Sequence, residues 1–206
     1  MIGNDIISLA EVLPHQQALR PGFCDKVCLP EELQPLTTYF SREICIWALW
    51  AAKESAYKVY RQAGGPALFA PKKNTFLLHS IHNSQLKGIT TTPNGRYHSR
   101  ILLQTEYIMA ESWSANLDQY QIAHKVMAIP NKPYALQSAS LKEKVMDWVA
   151  QNLGMHAESL SISKSSIGMP YLKLGNKRLD LSLSLSHHGH FGLCSIWVKK
   201  NSPFLG

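Results

Sequence analysis

The chain has 206 residues, 45% of them hydrophobic, and a formal net charge of +7 at pH 7, enough for one substantial domain or two small packed halves whose core needs no staples. No stretch approaches the ~18 uninterrupted apolar residues of a membrane span, and Met1-Ile2-Gly3-Asn4-Asp5 lacks the basic lead into an apolar run that marks a secretory signal, so the expected address is the cytoplasm, with no membrane partner. The basic residues are dispersed as small pairs (Lys72-Lys73, Lys177-Arg178, Lys199-Lys200), which suits an acidic protein or an anionic cofactor and argues against a nucleic-acid partner.

In chain order, residues 5–12 read as an extended segment rich in Ile and Leu, followed by a proline-punctuated stretch from Pro14 to Pro35. The main helix opens with Ser41 as N-cap and Glu43 at the positive end of the dipole. It runs through Trp47, Ala51 and Tyr57 to a stop at Gly64-Gly65-Pro66. Residues 74–82 and 98–115 read as strands, with a turn at Pro93-Asn94-Gly95. After a break near residues 116–121 the order starts again. A strand covers 120–129, and the capping box Ser140-Leu141-Lys142-Glu143 opens a helix that Gly154 closes. Strands then cover 159–163 and 179–197, around the turn-rich Gly168-Met169-Pro170 and Gly175-Asn176. The expected fold class is α+β: two similar halves, 1–118 and 119–206, each a small antiparallel sheet with a packed helix, forming a pseudo-dimer with a ligand cleft between them.

Three stretches carry chemistry. In the main helix, Trp50-Ala51-Ala52-Lys53-Glu54-Ser55-Ala56-Tyr57-Lys58 puts Trp50, Glu54 and Lys58 on one stripe. Spacing alone favours an exposed Glu54–Lys58 pair worth about 0.3–0.5 kcal/mol to the helix. Near the N-terminus, Gly3-Asn4-Asp5-Ile6-Ile7 places a carboxylate at the start of an apolar strand, where an acid is costly unless paired or metal-bound, although a turn or cap residue is the commoner role. Asp5 and Glu54 would together offer hard oxygen ligands for Mg²⁺, with Lys53 and Lys58 flanking an anion, the set that phosphoryl or pyrophosphate chemistry needs. The third stretch, Ser182-Leu183-Ser184-Leu185-Ser186-His187-His188-Gly189, alternates as any half-buried strand does and ends in a histidine pair. His187 suits a phosphate; no ligand spacing supports zinc at His187, His188 and His190, and Cys24, Cys28, Cys45 and Cys194 read as free thiols.

In combination, Gly3-Asn4-Asp5, the Trp50–Lys58 stretch, Gly168-Met169-Pro170 and Ser184-Leu185-Ser186-His187 resemble the 4'-phosphopantetheinyl transferase superfamily. Its signature is G-x-D, W/F-x-x-K-E-x-x-x-K, and S-x-S-H after a G-x-P turn. The resemblance implies transfer of the phosphopantetheine arm of coenzyme A to a serine of an acidic acyl- or peptidyl-carrier protein, releasing adenosine 3',5'-bisphosphate. It implies Asp5 and Glu54 as Mg²⁺ ligands, Glu54 also as the base for the carrier serine, and Lys58 as the partner of the leaving phosphate. His187 and Ser186, with Lys53 and Pro170, would bind coenzyme A.

The motif order is similar to the short holo-acyl-carrier-protein synthase type, whereas the length is similar to the pseudo-dimeric surfactin-synthetase-activating type with its halves exchanged, for which a monomer suffices. Ile7 stands where pseudo-dimeric members carry a further acid, and Met169 where a basic residue is common. A non-catalytic coenzyme A or nucleotide-binding protein is therefore the alternative, and a basic nucleic-acid-binding protein a weaker one.

Overall fold

The computed structural model describes residues 1–114 and 119–200. The boundary expected at 118, and much of the break around it, lie outside those residues, as does the end of the strand expected to reach 115. Strand β1 (Ile2–Ser8) is buried along its length except at Asp5, which is partly exposed. It stops short of the expected end because Leu9–Val12 forms a single helical turn, α1, that carries Leu9 and Val12 into the core. The proline-punctuated stretch contributes two short helices, α2 (Phe23–Val27) and α3 (Pro30–Thr37). The latter has Pro30 at its first position, where a missing N–H is harmless. Helix α4 (Arg42–Gln62) begins as expected, with Ser41 Oγ accepting from the Ile44 N–H.

β1 joins β2 (Thr75–His82), β3 (Gln85–Thr92), β4 (Gly95–Leu103) and β5 (Tyr107–Trp113) in an antiparallel sheet of order β1-β5-β4-β3-β2. α4 lies against it, burying Ile46 and Leu49 with Ile101 and Ile108. β3 escapes sequence reading because its hairpin with β2 turns at Asn83-Ser84, both at positive φ, without the glycine that usually marks such a turn. The single strand expected over 98–115 is two strands, β4 and β5, divided at 104–106.

After β6 (Tyr120–Ala128) comes α5 (Tyr134–Leu153), which starts at Tyr134 and not at Ser140. Ser140 already lies in the helix, where the N–H groups a capping box would serve have helical partners. Gly154 closes α5 in the left-handed conformation, as expected. β7 (Leu160–Lys164), β8 (Pro170–Leu174) and β9 (Lys177–Arg178) form one three-stranded antiparallel sheet. β10 (Ser182–His188) and β11 (Phe191–Lys199) form another with β6, in the order β10-β11-β6. A second buried cluster, with Leu141, Val145 and Val149 of α5 against Leu172, Leu183 and Ile196, is separate from the first. The fold is thus α+β, with antiparallel sheets and several helices.

Side chains, not a backbone ladder, join β1 to β10. Ser182 Oγ accepts from the Ile2 N–H, Ser184 Oγ from the Asn4 N–H, and His188 Nδ1 from the Ser8 N–H, at 3.1, 2.9 and 3.0 Å. The sequence separation is 180 residues at every contact, so the two strands run parallel, edge to edge. Asn4 deepens the joint: its Nδ2 donates to Ser184 O and to Ser195 Oγ, and Ser195 Oγ donates to the fully buried Glu111, which also pairs with Arg100.

Candidate functional site

Gly3 decides how closely α4 crosses β1. A Cβ there would lie 2.0 Å from the Ser55 carbonyl oxygen and 2.9 Å from Lys58 Cβ, so only glycine lets the helix backbone rest on the strand. That contact delivers Lys58 to the middle of β1, where Nζ donates to Asn4 O at 2.7 Å and lies 3.4 Å from Asp5 Oδ1. Between Cys45 and Tyr60, only Trp50, Glu54, Tyr57 and Lys58 escape burial, a stripe of helical period. Trp50 is covered by the rings of Phe23 and Phe69, and Tyr57 also packs on Phe69, which leaves Glu54 and Lys58 as the charged members of the stripe.

The same alternation divides the serine-histidine strand. Ser182, Ser184 and His188 face β1, whereas His187 turns to a cavity of about 180 Å³ whose wall also includes Lys58, Tyr134, Lys142, Lys164, Met169 and Pro170. The cavity therefore brings Lys58 of α4 together with His187 and the Gly168-Met169-Pro170 turn. A wider groove of about 560 Å³ continues past Gln62, Met169 and Pro170 toward Arg178 and Lys199.

Asp5 and Glu54 lie beside Lys58 and are not on the wall of the His187 cavity, and two further expected ligands, Lys53 and Ser186, stand elsewhere. Lys53 is fully buried, its Nζ donating to Val27 O at 2.6 Å and to Glu32 Oε2 at 2.7 Å, so it is committed to the Glu32 carboxylate and is not on the cavity wall. The reason is one residue's rotation: Lys53 falls on the buried stripe Ile46, Leu49, Ala56 and Tyr60, about 100° from Glu54. Glu32 is held by the Leu29 and Phe76 N–H groups, and the pair pins α3 and β2 onto α4. Lys53→Met is expected to cost about 3 kcal/mol, a drop of about 6–12 °C in melting temperature by calorimetry, because it strands a buried charge. Ser186, expected beside His187, points to the β1 side. Its Oγ is buried without a partner among the described residues, and the Ile6 N–H it would receive serves the Asp5 carboxylate.

The acid pair is electrostatically crowded. Burial pushes the Asp5 carboxyl up to about 7, Lys58 opposes the shift, and neighbouring Glu54 adds to it. The group thus binds its proton more tightly when folded, so its contribution falls as pH rises from about 4, its unfolded value, through 7. Asp5→Asn is expected to raise the melting temperature in metal-free buffer above about pH 7, with the gain vanishing below about pH 4. A scan across that range checks it. His187 is lowered from its ordinary value by burial first, then by Lys58 and His188; burial also lowers His188, whose neutral Nδ1 accepts from Ser8.

No cluster of three or more His, Cys, Asp or Glu side chains suited to a metal occurs among the described residues, and all four cysteines are unpaired. No helix among those residues is long and apolar enough to cross a membrane.

Comparison with known families bears on the acid-lysine side of this geometry. The profile of the 4'-phosphopantetheinyl transferase superfamily matches residues 1–123. The chain belongs to that superfamily. The match spans Gly3-Asn4-Asp5 and Trp50–Lys58, whereas Pro170 and His187 lie beyond it. No curated protein matches the chain significantly. Sequence reasoning missed Tyr134, Gln137, Lys142 and Lys164, all close to His187 or on the cavity wall. Gln137 carried a usable signal: it continues the apolar i, i+4 row Leu141, Val145 and Val149, where a polar side chain needs a reason.

Proposed function

We propose that this chain transfers the 4'-phosphopantetheine arm of coenzyme A to a serine of an acyl- or peptidyl-carrier protein, releasing adenosine 3',5'-bisphosphate. The observation that carries the reading is the shared cavity: Lys58, next to Asp5, and His187, beside Pro170, line one space. Superfamily membership supports the reaction class.

In this reading Glu54 takes the proton from the carrier serine, whose oxygen bonds to the phosphorus bearing the arm. The bond from that phosphorus to the bridging oxygen of the adenosine moiety breaks. Lys58 has three N–H donors and spends two on Asn4 O and Asp5, so the third is free for the leaving phosphate. His187 and the Pro170 turn, with Lys142 and Lys164, bind the nucleotide end of coenzyme A.

The carboxyls of Asp5 and Glu54 fit Mg²⁺: both are hard oxygen donors, and Asp5, raised first by burial and then by Glu54, has Lys58 and the Ile6 N–H as its stabilising neighbours. When bound, the ion neutralises pyrophosphate charge. Lys53 takes no part in this reading, and Ser186 acts through the strand to which it belongs.

The order strand, helix, strands occurs in residues 1–118 and again in 119–206. The order β1-β5-β4 in the first sheet has its counterpart in β6-β11-β10. These features support a pseudo-dimer with exchanged halves and a site between them, complete in a monomer. The basic surface suits an acidic carrier protein.

Intact-mass measurement of apo carrier proteins incubated with the chain, coenzyme A and Mg²⁺ tests the reading: one arm per carrier is expected. Tight coenzyme A binding with every carrier left unmodified would favour a non-catalytic binding protein.

A further inference from the structure

One buried amide beside His187 has no part in the chemistry above. Gln137, 8% exposed, sits in the first turns of α5, and its side chain makes three hydrogen bonds. Nε2 donates to Gly189 O at 3.0 Å and to Asn131 Oδ1 at 3.3 Å, which uses both of its hydrogens. A flipped amide would set Oε1 against those two acceptors, so the assignment of oxygen and nitrogen is fixed. Oε1 is therefore an acceptor only, and it lies 2.9 Å from His187 Nδ1. That contact requires the hydrogen of the imidazole to be on Nδ1.

The neighbours make this arrangement rigid. Gly189, whose carbonyl anchors the amide, is at φ 57°, and a Cβ there would lie 2.8 Å from Glu11 Cγ and 2.9 Å from Ser8 Cβ, so the turn admits glycine alone. Asn131, the other anchor, donates to Glu11 Oε1 at 2.8 Å. The Tyr134 ring covers the imidazole at 4.7 Å between centroids. Nε2 has no hydrogen-bond partner among the described residues.

We propose that Gln137 is a positioning residue for His187: by holding the hydrogen on Nδ1, it turns Nε2 to the anionic oxygens of a phosphate ester in the cavity. This rests on the reading that coenzyme A occupies the cavity, with its 3'-phosphate at His187. The neutral imidazole has its Nε2 lone pair free, so when an anion binds, the proton taken up goes to Nε2 and becomes the donated hydrogen. With Nδ1 unrestrained, the hydrogen is shared between the two ring nitrogens and the ring is free to turn.

The test uses the full chain and two readouts. Long-range proton-nitrogen spectra of the His187 ring at about pH 8, where a histidine of ordinary pKa is neutral, are expected to show the Nδ1–H tautomer in the parent and a mixture with Nε2–H in Gln137→Leu. In kinetics, the preference for coenzyme A over 3'-dephospho-coenzyme A, taken as the ratio of kcat/KM values, is expected to fall about tenfold in Gln137→Leu, the loss of a charge-assisted hydrogen bond. It should fall no further when Gln137→Leu is added to His187→Asn. A purely structural glutamine would lower the melting temperature and slow both substrates equally, leaving the ratio unchanged. An Nε2–H tautomer in the parent, or an unchanged ratio in Gln137→Leu, overturns the proposal. If the parent uses neither substrate, it is the transferase reading that fails, while the spectra still decide the role of Gln137.

Discussion

Glu54→Gln is expected to slow arm transfer to an apo carrier protein at least about a hundredfold, the low end of what loss of a general base costs. The melting temperature should stay within about 2 °C of the parent, as for a partly exposed position outside the core. Glu54 stands on the one stripe of α4 that is not buried, a turn before Lys58, and it is close enough to raise the neighbouring Asp5 carboxyl. The amide matches the carboxylate in shape while removing the charge and the ability to accept a proton. Time courses by intact mass give the rate, and equal rates for parent and variant would remove Glu54 from the chemistry.

Gly3→Ala should act by the opposite route, through the scaffold. The added methyl would lie 2.0 Å from the Ser55 carbonyl oxygen, backbone on backbone, with no flexible side chain to move aside. Forcing α4 off β1 is expected to cost about 3 kcal/mol, at the upper end for overpacking, or about 6–12 °C in melting temperature. Transfer should fall as well, because Lys58 would be drawn away from Asn4 O and Asp5. Calorimetry with a transfer assay checks both, and a variant that melts with the parent would contradict so close a crossing. The two substitutions separate cleanly: one removes activity at constant stability, the other lowers both.

How far the sequence foretells this molecule depends on the range of the interaction. The start of α4 at Ser41, the close of α5 at Gly154 and the turn at Pro93-Asn94 are local events, set by one or two residues, and they read correctly. Lys53 stands four and three residues from Leu49 and Ala56, and that spacing puts it on the buried stripe in spite of its charged neighbours Glu54 and Lys58 in the sequence. The burial of Lys53 also depends on Glu32, 21 residues earlier, whose carboxylate is the partner it needs. Ser184 and His188 were legible only as strand alternation, since what they hold is the backbone of β1, 180 residues away. Gln137 precedes the capping box at Ser140, and only the true start of α5 at Tyr134 puts it on the apolar row.

The edge of β1 away from β5 finds its acceptors in Ser182, Ser184 and His188, not in a neighbouring strand. A first sheet made without residues 182–188 would present those N–H groups, and Ile2 and Ile6 beside them, as a bare and sticky margin. Supplying the acceptors from a separate molecule would make the fit depend on concentration. Carrying them on the same polypeptide makes the encounter intramolecular, so that it does not depend on the concentration of the protein. Dilution therefore leaves the joint intact, and with it the spacing between Lys58 and His187.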